Sequence, residues 1–478
     1  MVVRSSIVQP DMHVTVMGLG RFGGGVAVTR WLCDRIGCRQ VCVTDLLRPD
    51  DLTDSLAAIK DLTQSGHVRL RLGGHETEDF SNADLVIANP AVPRPWDNRY
   101  LAAARDAGVP VLTEIQLLLD LLPRRDRIIG VTGSAGKSTT AAMIHHALRA
   151  LSIPSHFGGN IGGSLLADAA NGRIGTGDWV VLELSSAMLY WVGRENSPCR
   201  LSPHVAVITN VLPNHLDWHG DFEHYRDCKA SLLLSQQPEA TAILTPQSQA
   251  ALVPRTDPAT MQQSVIVVPE PNDQQRHTIT LRIPGAHNMH NALVASAAVE
   301  AATGVPATTV GEHLSDFPGL PHRLCCIATD HEGRRFFDDS KSTTPDASRL
   351  AVESFGNEAA RVHLIAGGYS KRLHLQPITA LSGQLAGIYT IGTTGCQLAQ
   401  ECRSSRADKA GNVFECANLD TAFTTATTRM KPGDILLLSP GHASWDQFPN
   451  YIERGRRFAE LTESWLASRQ NEPGPGTE

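Results

Sequence analysis

Short apolar runs that end in glycine or a polar turn alternate along this chain with longer stretches whose apolar residues fall in helical rhythm. The first run is "HVTVMGLG", followed by a helical pattern from about Gly23 to Arg35, then "QVCVTD", later "ADLVIANPAV", and a helix beginning near Asn98. A second set opens with "DRIIGVTG" and the helical "GKSTTAAMIHHALRAL", continues through "DWVVLELS" and "HVAVITNV", and closes on "HNMHNALVASAAVEAAT". After "FPGLPHR", the runs "RVHLIAGG", "GIYTIGT" and "DILLLSP" repeat the alternation. Strands alternating with helices at this spacing predict mainly parallel, doubly wound sheets with flanking helices. We therefore expect an α/β fold in three domains, 1–113, 114–319 and 320–478, with boundaries near Thr113 and Gly319. The stretch from Ser235 to Thr278, rich in Gln, Pro, Ser and Thr, predicts a small peripheral element without chemistry. The tail "NEPGPGTE" is polar, with prolines and glycines, and predicts disorder.

Composition narrows the class. At 478 residues the chain exceeds what one core serves, which agrees with several domains. Hydrophobic residues make up 42% and charged residues 19%, no apolar run reaches membrane length, and the amino terminus lacks a secretory pattern, so we expect a cytoplasmic protein with no membrane partner. A net charge of -7 argues against nucleic acid as a partner. Ten cysteines without metal-type spacing predict reduced, structural thiols.

Two glycine loops carry the candidate chemistry. "GLGRFG", Gly18 to Gly23, follows a strand, precedes a helix and is answered by Asp45 at the end of the next strand. That is the dinucleotide fingerprint, but its physics holds any diphosphate: glycines admit the backbone, and the helix amino terminus supplies oriented N–H donors. A nicotinamide enzyme, a nucleotide-sugar protein and a bare turn all stay open on this loop alone. "GVTGSAGKSTT", Gly130 to Thr140, keeps Gly-Lys-Ser but lacks the glycine usually found five residues earlier, where Val131 stands. Backbone amides from Gly133 to Lys137 can cradle phosphate, Lys137 can neutralise the β and γ phosphates, and Ser138 or Thr139 can offer a hydroxyl to magnesium.

This second loop resembles the ATP loop of the Mur ligase superfamily. The family's further motifs follow in order: "GGNIGG", "LELSS", "NVLPNHLDWHGDFEHYRDCK", "GAHNMHN", "GLPHR", "DDSKSTTPD", "AGGYSK" and "SPGHASWDQFPNYIERG". The resemblance runs from about His13 to Leu466 and is strongest to the glutamate-adding branch. It implies Rossmann-like first and third domains around a P-loop-type ATPase domain, the first binding UDP-sugar and the third the amino acid. It also implies an ATP-dependent ligase of peptidoglycan precursor synthesis, acting as a monomer, that joins glutamate to UDP-N-acetylmuramoyl-L-alanine through an acyl phosphate.

The resemblance assigns roles residue by residue. Gly133, Ser134, Ala135, Gly136, Lys137, Ser138 and Thr139 would hold ATP, with Asn288 and Asn291 on adenine, Arg323 on phosphate and Asp339 on ribose. Lys137, Glu183, His215, Lys229 and Lys341 would be catalytic. Two magnesium ions would bind through Ser138, Glu183, His215 and Lys229, the lysine carrying a carbamate. Gly18, Gly20, Arg21, Phe22, Gly23, Asp45, Asn89, Asn160 and Ser185 would bind the UDP-sugar. Thr343, Lys371, Ser444, Trp445 and Tyr451 would surround glutamate. Alone, His215 reads as a structural histidine, Lys229 as a solvated cation and Asn288 as a helix cap; the surrounding motifs favour the ligand roles. His219 and His224 read as surface residues. Because these groups are spread over separate domains, we expect the site to assemble on domain closure and the ligand-free form to be open.

Several positions depart from the family pattern. Ala135 replaces a common asparagine, "TDLLR" and "NPAV" alter the uridine pocket, Met188 stands for a glutamine, and Trp445 and Tyr451 are unusual near glutamate. The chirality of the amino acid is not legible from these changes. Alternatives are another Mur-type or folylpolyglutamate-type amide ligase, a nicotinamide-binding oxidoreductase, or a catalytically idle ATP-binding partner.

Overall fold

The computed structural model describes residues 5–20, 23–38, 40–194, 197–252, 262–271, 281–369, 374–404 and 411–470. The expected tail disorder falls on 471–478, outside these residues. Three sheets form, and the chain divides into two compact units: 1–273 with 290–314, and 274–289 with 315–478.

The first unit holds two sheets. One has the order β3-β2-β1-β4-β5, from β1 (His13–Met17), β2 (Gln40–Asp45), β3 (Val68–Leu72), β4 (Leu85–Ala88) and β5 (Val111–Leu112), every pair parallel. The other has the order β11-β10-β9-β6-β8-β7, from β6 (Ile128–Thr132), β7 (Ser155–Gly159), β8 (Trp179–Glu183), β9 (Val205–Ile208), β10 (Thr241–Leu244) and β11 (Ser264–Val267), again all parallel. Its central strands are buried along their whole length, which is why they read as continuous apolar runs. One apolar core runs from Val14 and Val43 of the first sheet through Leu117 and Leu118 to Ile128 and Leu182 of the second.

The stretch from Ser235 to Thr278, expected as a small peripheral element, supplies β10 and β11, which extend the second sheet at its edge by two parallel strands.

The second unit holds a sheet of order β12-β13-β17-β14-β15-β16, from β12 (Cys325–Thr329), β13 (Arg335–Asp338), β14 (Val362–Gly367), β15 (Gly387–Ile391), β16 (Val413–Ala417) and β17 (Ile435–Leu438). Only β12 runs antiparallel to its neighbour. None of the ten cysteines is in a disulfide. Among the described residues no helix is long and apolar enough to cross a membrane.

The helix Lys137–Ala150 carries a titration signal away from the phosphate loop. His145, bonded to Ser155 Oγ at 3.1 Å, is held by burial at a pKa of about 4, below its ordinary 6.5, with Arg149 adding to the shift. As pH falls below 6.5 the unfolded chain takes the proton first, so stability tied to neutral His145 is complete above 6.5 and is lost progressively toward 4. His145→Gln should therefore flatten the acid limb of a Tm-against-pH curve by on the order of 2 kcal/mol at pH 4. Parallel curves for the two proteins would refute this.

Candidate functional site

The strand β6 runs straight into the Gly133–Gly136 turn. Gly133 has φ 153 and packs so closely that a Cβ there would lie 2.0 Å from Thr209 Oγ1. Gly136 has φ 79, and a Cβ there would come within 2.7 Å of Asn291 Oδ1. Both positions therefore require glycine, for space as well as conformation. Between them, Asn210 shapes the loop: its Oδ1 accepts from Ser134 N at 3.0 Å and Ala135 N at 2.8 Å, and its Nδ2 donates to Ala135 O at 3.2 Å. Thr209 Oγ1 adds a bond to Ala135 O at 2.6 Å. A side chain from after β9 thus orders the turn in which Ala135 offers no side-chain polar group. Lys137 opens the following helix with Nζ 3.3 Å from Ser134 O; Ser138 is buried and Thr139 half-buried. Backbone N–H groups at a helix amino terminus favour an anion in front of them.

Glu183 ends β8, next to β6, and is 1% exposed. Its Oε1 accepts from Asn160 Nδ2 at 2.9 Å, while Oε2 is buried with no hydrogen-bond partner. An orphaned carboxylate oxygen in a dry site has a strong demand for a cation. Gly159, φ 101, lets the "GGN" loop lie on Glu183, since a Cβ there would sit 2.3 Å from Glu183 O.

Lys229 is likewise buried, at 1% exposure, on the helix Phe222–Leu234. Its Nζ donates to Gly133 O at 2.8 Å and Thr132 Oγ1 at 3.2 Å, and lies 4.7 Å from the centre of the Tyr225 ring. Burial first, and the Lys137 charge second, push its pKa well below the usual lysine range. The Tyr225 hydroxyl reaches Ser134 Oγ at 2.8 Å, so this helix braces the phosphate loop from behind. His215 is exposed at φ 51, its N–H donating to Asn214 Oδ1 at 2.9 Å. Lys137, Glu183 and Lys229 thus gather at the carboxyl edge of β6 and β8, and His215 stands in the loop that leaves the carboxyl end of β9.

His219 is not a surface residue. It is 3% exposed, with Nε2 2.9 Å from Ser186 Oγ and Nδ1 3.0 Å from Nδ1 of His224, which is half-buried. The left-handed Gly220, φ 86, turns the chain so that His219 folds under the next helix.

In the first sheet Gly18, Gly20 and Gly23 all have positive φ, and Asp45 is buried against their loop. The Asp45 carboxylate accepts from Gly20 N at 2.9 Å and Leu47 N at 2.8 Å, so it pins the glycine turn. Asn89 stands beside Gly18, its Oδ1 accepting from Ala91 N at 2.9 Å. Asn160 is engaged with Glu183 as above, and Ser185 Oγ caps the helix Ser186–Val192 by accepting from Met188 N at 3.1 Å. Arg21 and Phe22 lie outside the described residues.

In the second unit, Asp339, Lys341 and Thr343 follow β13, while Ser444 and Trp445 follow β17, its parallel neighbour, so they share one sheet edge. Asp339 is buried, accepts from Leu324 N at 3.0 Å and Ser439 Oγ at 2.6 Å, and is pushed up to about 6 by burial. Lys341 Nζ lies 5.4 Å from the centre of the Tyr451 ring. Arg323 is exposed, Ser444 buried and Trp445 exposed against Tyr369. Asn288 Nδ2 donates to Pro284 O at 2.6 Å. Lys371 lies outside the described residues.

A residue absent from the sequence reading organises this edge. Arg454, 1% exposed, donates to Ser340 Oγ, Ser340 O and His442 O at 3.0, 2.8 and 3.1 Å, tying the loops after β13 and β17 together.

Two family models match the chain: Mur ligase middle domain over residues 131–299, and Mur ligase, glutamate ligase domain, over 322–442. The UDP-N-acetylmuramoylalanine--D-glutamate ligase of Anaeromyxobacter dehalogenans (strain 2CP-C) is 35% identical, covering 94% of this chain and 97% of the relative. That of Roseiflexus sp. (strain RS-1) is 34% identical over 94% of this chain and 98% of its own. In fold, the chain is similar to UDP-N-acetylmuramate-alanine ligase MurC from Thermotoga maritima, with a TM-score of 0.55 and 19% identity over 95% of this chain and 100% of that one.

Proposed function

The chain belongs to the Mur ligase family, and from that premise we propose that it is an ATP-dependent ligase joining D-glutamate to UDP-N-acetylmuramoyl-L-alanine. The observation that carries this reading is the buried pair Glu183 and Lys229 set against a Gly-Lys-Ser loop, in a chain alike along almost its whole length to ligases named for that reaction. The reaction belongs to the cytoplasm, where nucleotide-sugars and ATP are available. We assign 1–113 to UDP-sugar, 114–319 to ATP and 320–478 to the amino acid.

A substrate carboxylate oxygen attacks the γ-phosphorus of ATP, ADP leaves, the glutamate amine then attacks the acyl carbon, and phosphate leaves as the amide forms. Two anions must meet in the first step, so the site has to supply positive charge. Lys137 and the backbone amides from Gly136 into the following helix bind and orient the β and γ phosphates, on a turn whose Ser134 and Ala135 amides are held by Asn210. The fit of a divalent cation rests on Glu183 Oε2, a buried carboxylate oxygen lacking a partner. Ser138, Glu183, His215 and Lys229 as a carbamate would hold magnesium, two ions on this ligand set, which would offset phosphate charge and polarise the transferring group. Lys229 suits the modification because burial favours its neutral amine, the form that adds carbon dioxide and releases a proton. Asn160 orients Glu183 through the hydrogen bond its Nδ2 donates to Oε1.

In the second unit Lys341 and Arg323 would meet phosphate and Asp339 the ribose; Thr343, Lys371, Ser444, Trp445 and Tyr451 would surround glutamate. Asn288 and Asn291 would meet adenine, while Gly18 to Gly23, Asp45, Asn89 and Ser185 would receive the UDP-sugar.

The direct test is product mass with D- and L-glutamate supplied separately. We expect one new amide with D-glutamate, and phosphate release only when ATP, nucleotide-sugar and amino acid are all present. Release with no dependence on glutamate would refute the reading. Glu183→Gln should keep the bond to Asn160 and the fold, yet lower kcat by about 10²-fold or more, because it deletes the charge opposite the phosphates. Unchanged kcat in that variant would remove Glu183 from the reaction.

A further inference from the structure

Along the helix that carries Lys229 lies a cluster that the ligase chemistry does not use. His224 and Cys228 stand four apart on the helix Phe222–Leu234, which places them on one face. Asp221 caps that helix, its carboxylate accepting from His224 N at 2.8 Å, and fixes where the face begins. His219 arrives from the preceding short helix Leu216–His219 across the left-handed Gly220. One ligand atom from each of the three residues lies within 4.8 Å of the others. His219 Nδ1 is 3.0 Å from His224 Nδ1, and Cys228 Sγ is 3.9 Å from His219 Nδ1 and 3.9 Å from His224 Nε2.

With one ligand atom from each side chain inside 4.8 Å, small rotations of the rings and the thiol bring the three to the edges of a metal tetrahedron. With zinc–nitrogen bonds of about 2.0–2.1 Å and a zinc–sulfur bond of about 2.3 Å, adjacent ligand atoms sit roughly 3.3–3.6 Å apart. The second nitrogen of His219 is already held by Ser186 Oγ at 2.9 Å, the kind of outer contact that fixes a ligating ring. Trp96, with its ring 4.5 Å from that of His224, and Trp218, 4.5 Å from that of His219, form an aromatic wall.

We propose that His219, His224 and Cys228 form a binding site for one soft divalent cation of the zinc class, separate from the ATP-linked metal ligands. Two imidazoles and a thiolate select zinc-like ions, whereas magnesium prefers oxygen ligands, so the two sites discriminate by donor chemistry. Binding takes Cys228 as the thiolate, its proton leaving to solvent as the cation takes its place. Because Cys228 precedes Lys229, an ion there pins the same helix that braces the phosphate loop.

The test uses the full chain, freed of metal, and cobalt(II) as the probe. Titration should give one equivalent with thiolate-to-cobalt charge-transfer absorption. Cys228→Ala and His224→Gln should each weaken binding at least tenfold and abolish or diminish that band, while Cys199→Ala, at a buried cysteine elsewhere, keeps it. Absence of the band, or its persistence in Cys228→Ala, overturns the proposal. Should a variant fail to fold, zinc X-ray absorption on the unmodified protein decides: one sulfur with two imidazole nitrogens supports the site, and a shell without sulfur overturns it.

Discussion

Lys229→Ala is expected to lose glutamate-dependent phosphate release by about 10²–10³-fold or more, and a short carboxylic acid such as acetate is expected to restore part of it. The side chain is buried, donates to Gly133 O and the Thr132 hydroxyl, and its charged form is disfavoured by burial and by the Lys137 charge. A cation needed for phosphate would not be placed where its charge is penalised. An amine that becomes a carbamate reverses the sign, and the anion then complements a cation held by Glu183. The fold should survive, because the variant deletes a costly buried amine. Three results separate the models: a carboxylate restores turnover only in Lys229→Ala, removal of dissolved carbon dioxide lowers wild-type activity, and Lys229→Arg stays inactive. Normal turnover in Lys229→Ala, or full activity in Lys229→Arg, would end the carbamate assignment.

The same lysine shows what a sequence carries and what it hides. Nothing in "FEHYRDCKASLLL" marks Lys229 as buried rather than solvated; only the motif around it did, and burial follows from Tyr225 and Lys229 sharing the helix face that meets the loop. The central strands and both glycine loops were legible because a buried parallel strand is a continuous apolar run and a left-handed turn demands glycine. The strands β10 and β11 were not: each has four residues, and β11 is partly exposed at the sheet edge, so its pattern is weak. Asn210 escaped because a lone asparagine after a strand has no local signature; its role comes from meeting a loop 75 positions away. Arg454 escaped for a similar reason, since its partners lie 114 and 12 positions off. His219 was misjudged because the polar sequence around it conceals the turn at Gly220 that buries it.

Gly133→Ala is the second large effect we expect, and it tests whether the turn itself is the nucleotide cradle. A methyl group there would overlap Thr209 Oγ1 at 2.0 Å and crowd Asn210 N at 3.2 Å. Either the methyl displaces Thr209, breaking its bond to Ala135 O, or the turn rotates and the amides of Ser134 and Ala135 leave Asn210 Oδ1. Both routes shift the turn that aims the helix amino terminus and Lys137 at phosphate, so ATP affinity should drop by about 10²-fold or more, with a stability loss of about 2–4 kcal/mol from overpacking and backbone strain. Adding Thr209→Ala removes the nearest atom and should recover part of the stability; the φ of 153 at residue 133 remains costly for alanine, so ATP affinity should stay low. That split distinguishes space from conformation. Calorimetric binding of ATP and thermal unfolding on the single and double variants supply both readouts. Wild-type ATP affinity in Gly133→Ala would mean that the triphosphate binds away from this turn, and the proposed reaction would lose its anchor.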